Sequence, residues 1–213
     1  MKEIVGIDVG ITNLAATSDG VIIKNKKHAI YFDKEINKLK SRRSKCKKGS
    51  RKYKYYSRVI SKLYGVKNRK ICDFQHKVSK TLSQTYDTIV VEDLTLKQMS
   101  ESNIKGLNRE LRNSKIANFL QYLSYKSIKL VKVNPRNTSK TCNKCGKIHN
   151  MPLHIRTMKC ECGNVMDRDV NAATNILCLG RAIISGLCSV EDTIQQALKL
   201  MYGIEPCTGS SYL

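Results

Sequence analysis

The sequence is short of acidic residues and has no long hydrophobic run. Its 213 residues contain 17 Asp and Glu against 39 Lys and Arg, which gives a formal net charge of +22. This charge indicates a polyanionic partner, with nucleic acid favoured over a membrane surface or an acidic protein. No stretch of about 18 consecutive apolar residues occurs, so we expect no membrane-spanning helix. Asp8 interrupts the short apolar run at the amino terminus, which therefore predicts a strand and not a secretory signal.

The nine cysteines do not form a regular set of pairs. Their number is odd and most are scattered, which favours a reducing compartment over a disulfide framework. Four of them form a C-x2-C and a C-x-C pair: Cys142, Cys145, Cys160 and Cys162. Four thiolates suit tetrahedral Zn²⁺ and leave no open coordination position, so we predict a structural zinc site in a loop too short and polar to fold alone. His149 and His154 lie between the two pairs and are alternative ligands.

The stretch 2–20 is the one around which the chain is organised. Four β-forming residues predict a buried strand here: Ile4, Val5, Ile7 and Val9. Asp8 lies within this strand, on the same face as Gly6 and Gly10. Two glycines beside a carboxylate leave room for a bulky charged group, and a buried carboxylate is costly unless it is paired or binds a cation. The alternative is an aspartate that caps a turn at the end of the strand.

Two further acidic positions lie at the ends of predicted elements. The strand 88–94 contains Glu92 and Asp93 near its end, and the carboxyl ends of buried strands are where α/β folds place their chemistry. A helix cap is the alternative for this pair. Asp167 and Asp169 directly precede the helical pattern VNAATNILCLG. Asp169 suits a helix start, where the helix dipole favours negative charge, and a simple N-cap is the alternative.

The remaining patterns alternate between strand and helix. Strands are predicted at 11–17, 21–25 and 128–133, and amphipathic helices at 68–86, 107–126 and 190–201. His76 lies off the apolar stripe of its helix, so we expect it at the surface or on a phosphate. Residues beyond Pro206 are expected to be poorly ordered.

Residues 34–64 form a strongly basic segment that includes Tyr53, Tyr55 and Tyr56. Sparse apolar residues at helical spacing, with a break at residues 48–50, predict a basic helical hairpin. Dense charge of one sign repels itself without a counter-charge, so we favour an arm that contacts phosphates over a solvated surface. The tyrosines either stack on bases or pack between the helices.

This order of elements is that of a ribonuclease-H-like α/β fold. Asp8, Glu92 and Asp169 are then expected to meet at one end of the sheet. Clustered carboxylates repel one another unless cations lie among them. Two Mg²⁺ (or Mn²⁺) ions about 3.5–4 Å apart meet that need and suit in-line phosphodiester hydrolysis.

Four stretches carry a resemblance to a known family: GIDVGITNLA, IVVEDL, PRNTSKTCNKCG and DRDVNAATNIL. Together and in this order they resemble the transposon-encoded TnpB (OrfB-type) proteins, relatives of Fanzor proteins and of type V CRISPR effectors. The resemblance covers most of the chain and implies a RuvC-like nuclease domain with a zinc-binding insertion. It implies Asp8, Glu92 and Asp169 as the catalytic, Mg²⁺-binding acids, with Asp167 as the other candidate for the third. It also implies that the four clustered cysteines bind the zinc.

The resemblance also divides the chain into parts. These are the first part of the nuclease core (1–133, including the basic hairpin 34–64), the zinc-binding insertion (134–163), the last part of the core (164–185) and a tail (186–213). Family members usually carry an amino-terminal region that binds guide RNA and opens the target duplex. This chain begins at the first catalytic strand, so we expect a separate protein or subunit to supply that region. The C-x-C pair is a smaller departure from the usual C-x2-C.

Three functions are compatible with these residues. The first is a Mg²⁺-dependent DNA endonuclease that uses a guide RNA and is related to a transposon nuclease. The second is a guide-independent nuclease that selects branched DNA by its shape, as a junction resolvase does. The third is a nucleic-acid-binding regulator or remnant that does not cleave, against which the presence of all three acids counts. We expect a cytoplasmic, nucleoid-associated protein in each case.

Overall fold

A computed structural model describes residues 2–25, 28–94, 113–152 and 154–204. Its central sheet contains β1 (Lys2–Asp8), β2 (Asn13–Thr17), β3 (Ile22–Lys24), β4 (Tyr86–Glu92) and β5 (Lys129–Val133). The strands lie in the order β3-β2-β1-β4-β5. β1, β2 and β3 form an antiparallel meander, whereas β1, β4 and β5 are parallel. This mixed sheet confirms the predicted ribonuclease-H-like α/β class.

Helices cover both faces of the sheet. They are α1 (His28–Ser44), α2 (Arg51–Thr85), α3 (Ile116–Lys126), α4 (Arg168–Ile184) and α5 (Ile194–Tyr202). On one face, Ile89 and its neighbours pack against α2 and α3 through residues such as Phe119. On the other face, Val90 packs with residues of α4 and α5, among them Leu179 and Leu198. The alternation of side chains along β4 therefore divides the core into two layers.

The basic hairpin consists of α1 and the first half of α2. The predicted break is confirmed, because Gly49 has a φ of 84° and the Ser50 hydroxyl accepts a hydrogen bond from the Tyr53 backbone N–H at 3.2 Å. α2 then continues for 35 residues, so the second arm of the hairpin and the predicted helix 68–86 are one helix. Phe32, Ile36 and Ile60 form the small apolar cluster that holds α1 against α2.

A buried lysine links the hairpin to the rest of the fold. Lys67 is 2% exposed, and its Nζ donates hydrogen bonds to Asp33 Oδ1 at 2.7 Å and to Asn113 Oδ1 at 2.9 Å. A buried charge is tolerated when it is paired and hydrogen-bonded in this way. Lys67 therefore anchors α1 and the residues before α3 to the middle of α2.

Gly6 allows α4 to approach β1 at backbone distance. A Cβ atom at this position would lie 2.2 Å from the Ala173 carbonyl oxygen and 2.5 Å from the Leu177 backbone nitrogen. The interpretation that Gly6 leaves room for a bulky charged group is therefore wrong, because the helix backbone fills that space. Gly180, within α4, allows the same close approach to β4, since a Cβ atom there would lie 2.4 Å from Val90 Cγ2. The two glycines fix α4 across the strands that carry Asp8 and Glu92.

Several predicted segments are confirmed only in part. The predicted helix 107–126 is present at Ile116–Lys126, and residues 107–112 lie outside the described part of the chain. The predicted helix 190–201 corresponds to α5 (Ile194–Tyr202). The expectation about residues beyond Pro206 also concerns residues that are not described. Among the described helices, none combines the length and apolar character needed to cross a bilayer.

Candidate functional site

Asp8 and Glu92 lie at the carboxyl ends of neighbouring parallel strands. The register pairs Ile7 with Val91, so the residues that follow them are adjacent at one edge of the sheet. Both side chains share the face that contacts α4, since Gly6 and Val90 come two residues earlier on the same strands. Two carboxylates separated by 84 positions in the sequence are thus brought together by strand pairing.

Asp167 and Asp169 have different roles at the start of α4. Asp167 is the N-cap, and its Oδ1 accepts hydrogen bonds from the backbone N–H groups of Asp169 at 2.8 Å and Val170 at 3.3 Å. Asp169 lies in the first turn, where its Oδ2 accepts a hydrogen bond from Asn13 Nδ2 at 2.7 Å. Its Oδ1 is 3.7 Å from Arg156 Nη1. The capping role therefore belongs to Asp167, and Asp169 is the acid that reaches towards the sheet.

The three acids Asp8, Glu92 and Asp169 form an electrostatically crowded group. Burial, followed by the negative charges of Glu92 and Asp169, raises the pKa of Asp8 to about 8, against the opposing charge of Arg168. Burial also raises the pKa of Glu92, against a hydrogen bond from Thr138 that lowers it. Among the described residues, only the four clustered cysteines have ligand atoms that all lie within 4.8 Å of one another. The three carboxylates therefore interact electrostatically, but their oxygens do not all lie within 4.8 Å of one another.

The four cysteines form a second group, supplied by two short segments. Cys160 and Cys162 lie in the turn between β6 (Thr157–Lys159) and β7 (Val165–Asp167), and Cys142 and Cys145 lie in the segment closed by the bridge between Thr141 and Ile148. The Sγ atoms of Cys142 and Cys162 are 3.7 Å apart, and those of Cys145 and Cys160 are 3.5 Å apart. Thiolates around a tetrahedral zinc, each about 2.3 Å from the ion, are about 3.8 Å apart. The donor set and its spacing fit a structural zinc. The eight cysteines in the described residues form no disulfide with one another.

A bound cation would also offset the cost of ionising these thiols. Burial raises the pKa of Cys145 and Cys160, and each shares the site with other thiols. Burial opposes ionisation of Cys142 as well, but hydrogen bonds, first among them that from Asn164, lower its pKa to about 7. His149 Nε2 lies 3.2 Å from Cys160 Sγ, outside the group of four, and His154 is exposed. The compact group of four potential ligands therefore consists of cysteines alone.

The basic hairpin presents its charge to solvent. Residues 34–62 contain thirteen Lys or Arg and one acidic residue, and most of these basic side chains are exposed. Tyr53 lies 5.4 Å from the Arg43 guanidinium, whereas Tyr55 is 62% exposed. His76, on the later part of α2, is exposed but stacks on Tyr122 of α3 at 3.8 Å between ring centroids. Its ring therefore packs between helices.

Two protein families match this chain. Residues 1–103 match the OrfB_IS605 family, provisionally described as transposases, and residues 114–176 match the family described as Cas12f1-like, TNB domain. A relative from Streptomyces pristinaespiralis is 35% identical over 193 residues, which are 84% of this chain and 45% of the relative. The chain belongs to the TnpB-like family.

Other comparisons agree with this assignment of a TnpB-like chain. InsQ of Escherichia coli (strain K12) is 29% identical over 203 residues, which are 86% of this chain and 50% of that protein. Both relatives are provisionally named RNA-guided DNA endonucleases. The TnpB-like chain described here spans about half the length of these curated relatives.

Solved structures share the fold. The cryo-EM structure of a Cas12f1–sgRNA–target DNA complex has a TM-score of 0.58 and 23% identity, and covers 81% of this chain and 49% of that one. The cryo-EM structure of a CRISPR-Cas12f ternary complex has a TM-score of 0.61 and 24% identity, and covers 81% of this chain and 38% of that one. At this level of identity the similarity establishes the fold.

Sequence reasoning does not identify the residues that contact the acids. Asn13 binds Asp169, and Thr138 binds Glu92. Both lie inside the stretches that carry the family resemblance, GIDVGITNLA and PRNTSKTCNKCG. Their place within these stretches could have marked both residues as candidates. Only the fold shows which carboxylate each of them contacts.

Proposed function

We propose that this chain is the nuclease portion of a TnpB-like RNA-guided DNA endonuclease, with Asp8, Glu92 and Asp169 as the ligands of its divalent cations. One observation supports the proposal. Asp8 interacts electrostatically with Glu92 on the neighbouring strand and with Asp169 on α4, and burial together with this repulsion raises the pKa of Asp8 to about 8. A fold tolerates such a group when a cation compensates it. The names of the relatives support DNA cleavage directed by RNA.

The donor set fits Mg²⁺ or Mn²⁺, because these hard cations prefer carboxylate oxygens. When bound, two such ions activate a water and stabilise the leaving oxygen of an in-line displacement. Neighbouring side chains of this chain contact two of the proposed ligands. Asn13 donates a hydrogen bond to Asp169 Oδ2, whose Oδ1 lies 3.7 Å from Arg156 Nη1, and Thr138 donates one to Glu92 Oε1. These contacts would orient the two carboxylates for a cation. The raised pKa of Asp8, about 8, would favour its protonated form near neutral pH in the free protein, and a bound cation would favour the carboxylate.

The excess of positive charge supplies the contacts with the substrate. The exposed Lys and Arg residues of the basic hairpin neutralise phosphates and release counterions, without reading sequence. Guide RNA and target DNA are the proposed partners, and both are present in a Cas12f1 complex of the same fold. The comparisons give no support for a separate protein subunit. Association with the nucleoid belongs to this proposal as a consequence of DNA binding.

Cleavage of labelled single-stranded DNA in the presence of Mg²⁺ tests the proposal. Asp8→Ala and Glu92→Gln are expected to abolish cutting, whereas Asp93→Asn is the matched control. Asp93 follows Glu92 directly but is exposed and paired with Lys132 at 3.1 Å. Asp167→Asn is expected to keep activity, because asparagine caps a helix as well as aspartate does. Asp169→Asn is expected to lose it.

The outcomes separate the three functions. Cutting by Asp8→Ala at the wild-type rate contradicts the assignment of the site. A discrete RNA that copurifies with the protein favours the guided nuclease, whereas cutting without RNA, selective for branched DNA, favours the junction-resolvase alternative. Salt-sensitive binding without Mg²⁺-dependent cutting favours the regulator.

A further inference from the structure

Thr138 joins the zinc-binding insertion to the proposed nuclease site. β5 ends at Val133, whose register partner on β4 is Glu92, so the chain leaves β5 beside this carboxylate. Asn137 has a φ of 63°, a left-handed conformation that turns the chain. The next residue, Thr138, donates its hydroxyl hydrogen to Glu92 Oε1. Because Thr138 is 2% exposed, bulk water does not compete for this hydrogen bond.

Two amide side chains of α4 hold the loop that carries Thr138. Asn175 Nδ2 donates to the carbonyl oxygens of Thr138 and Thr141, both at 2.7 Å. One turn earlier, Asn171 Nδ2 donates to the same Thr141 oxygen at 2.8 Å, and its Oδ1 accepts from the Asn143 backbone N–H at 3.1 Å. Both asparagines are 0% exposed. The loop is thus fastened on both sides of Cys142, the first zinc-site cysteine.

α4 therefore contributes to the position of two of the three acids. It carries Asp169 in its first turn, and through the loop it also fixes the hydroxyl that contacts Glu92. On the basis of the proposed function, we infer that Thr138 is a positioning residue for Glu92, held in place by Asn171 and Asn175. Loss of such an outer hydrogen bond to a metal-binding group typically lowers metal affinity or activity by about 10- to 100-fold.

A purely structural role for Thr138 is the competing explanation. Its Oγ1 also lies 3.2 Å from the Pro135 carbonyl oxygen, an acceptor within the same loop. A hydroxyl group has one hydrogen and donates to one acceptor at a time. If the bond to Pro135 were the important one, removal of the hydroxyl would loosen the loop without a specific effect on the cation site.

Three variants separate these roles. Thr138→Val removes the hydroxyl at similar volume, and Thr138→Ser retains it. Thr141→Val is the matched control, since Thr141 is equally buried in the same loop and its hydroxyl donates only to the Asn137 carbonyl oxygen, at 2.9 Å. The measurements are the dissociation constant for Mn²⁺, and kcat and KM for cleavage of single-stranded DNA.

We expect Thr138→Val to weaken Mn²⁺ binding or lower kcat by about 10-fold or more, with KM for DNA unchanged. Thr138→Ser should restore both values to within about 3-fold of the wild type, and Thr141→Val should match the wild type. If Asn175 acts through Thr138, the loss in kcat from Asn175→Ala and that from Thr138→Val will not multiply in the double variant. If Asn175→Ala does not fold, the comparison of Thr138→Val, Thr138→Ser and Thr141→Val still tests whether Thr138 positions Glu92.

The failures of the two proposals are distinguishable. A wild-type protein that neither binds Mn²⁺ nor cuts DNA removes the proposed function and this inference together. A wild-type protein that binds Mn²⁺, with a Thr138→Val variant that binds and cuts equally well, overturns the inference alone. Equal losses in Thr138→Val and Thr141→Val also overturn it, because they indicate a general loosening of the loop.

Discussion

Gly6→Ala adds a single methyl group where β1 and α4 touch. The new Cβ would lie 2.2 Å from the Ala173 carbonyl oxygen, 2.5 Å from the Leu177 nitrogen and 2.8 Å from the Leu177 Cβ. Two of these atoms belong to the backbone, so no rotation of a side chain relieves the contact. Because ordinary contacts begin at about 3.5 Å, α4 must move by about 1 Å.

The cost of this movement follows from its place in the core. An extra methylene in a well-packed interior typically costs about 1–3 kcal/mol, and backbone contacts set the expectation at the upper end of this range. For a chain of this size, a loss of 3 kcal/mol lowers the Tm by about 6–12 °C. Circular dichroism during heating, together with urea unfolding, measures both quantities.

Gly65→Ala is the control for this prediction. Gly65 lies within α2, and a Cβ there would meet only Arg69 Nη1, the far end of a flexible side chain, at 3.4 Å. Alanine is favoured over glycine in a helix by about 0.5–1 kcal/mol, so this variant should be as stable as the wild type or slightly more so. A Gly6→Ala protein within about 1 kcal/mol of the wild type would refute the close packing of α4 on β1.

Three further predictions concern charge and metal. In Mg²⁺-free buffer the pKa of Asp8, about 8, exceeds its unfolded value, so the free energy of unfolding falls as pH rises from about 4 to 8, by at most about 1.4 kcal/mol per pH unit. Asp8→Asn should lessen this fall in urea titrations, and an unchanged pH dependence contradicts the prediction. Cys160→Ser should lose its bound zinc by metal analysis and unfold at a lower temperature, whereas Cys46→Ser, at a cysteine in the loop of the basic hairpin, should keep it. Replacing Lys47 and Lys48 together by alanine should reduce the slope of log K for DNA binding against log salt by up to about 2, and an unchanged slope means that they do not contact phosphates.

The strands and the acids were predictable because they depend on local pattern. Two short runs, 4–8 and 88–92, have the composition of buried strands. The first run ends in Asp8 and the second in Glu92. The spacing of the cysteines identified the zinc group in the same way. Parallel pairing of β1 with β4 then required only the usual connection through a long helical segment.

The rest depended on contacts between distant parts of the chain. Gly6 was interpreted as space for a ligand, since nothing in a strand pattern reveals that a helix backbone occupies that space. Lys67 is a buried lysine within a basic helix, and its partners Asp33 and Asn113 lie far away in sequence. Spacing alone places both Asp167 and Asp169 at a helix start, and only the hydrogen bonds show which of them is the cap.

The location of Mn²⁺ ions tests the central claim most directly. Anomalous diffraction from crystals soaked in Mn²⁺ distinguishes these ions from zinc by wavelength. We predict two peaks about 3.5–4 Å apart, coordinated by carboxylate oxygens of Asp8, Glu92 and Asp169. A map with no Mn²⁺ peak among these three carboxylates, in crystals that bind the ion elsewhere, would contradict the account.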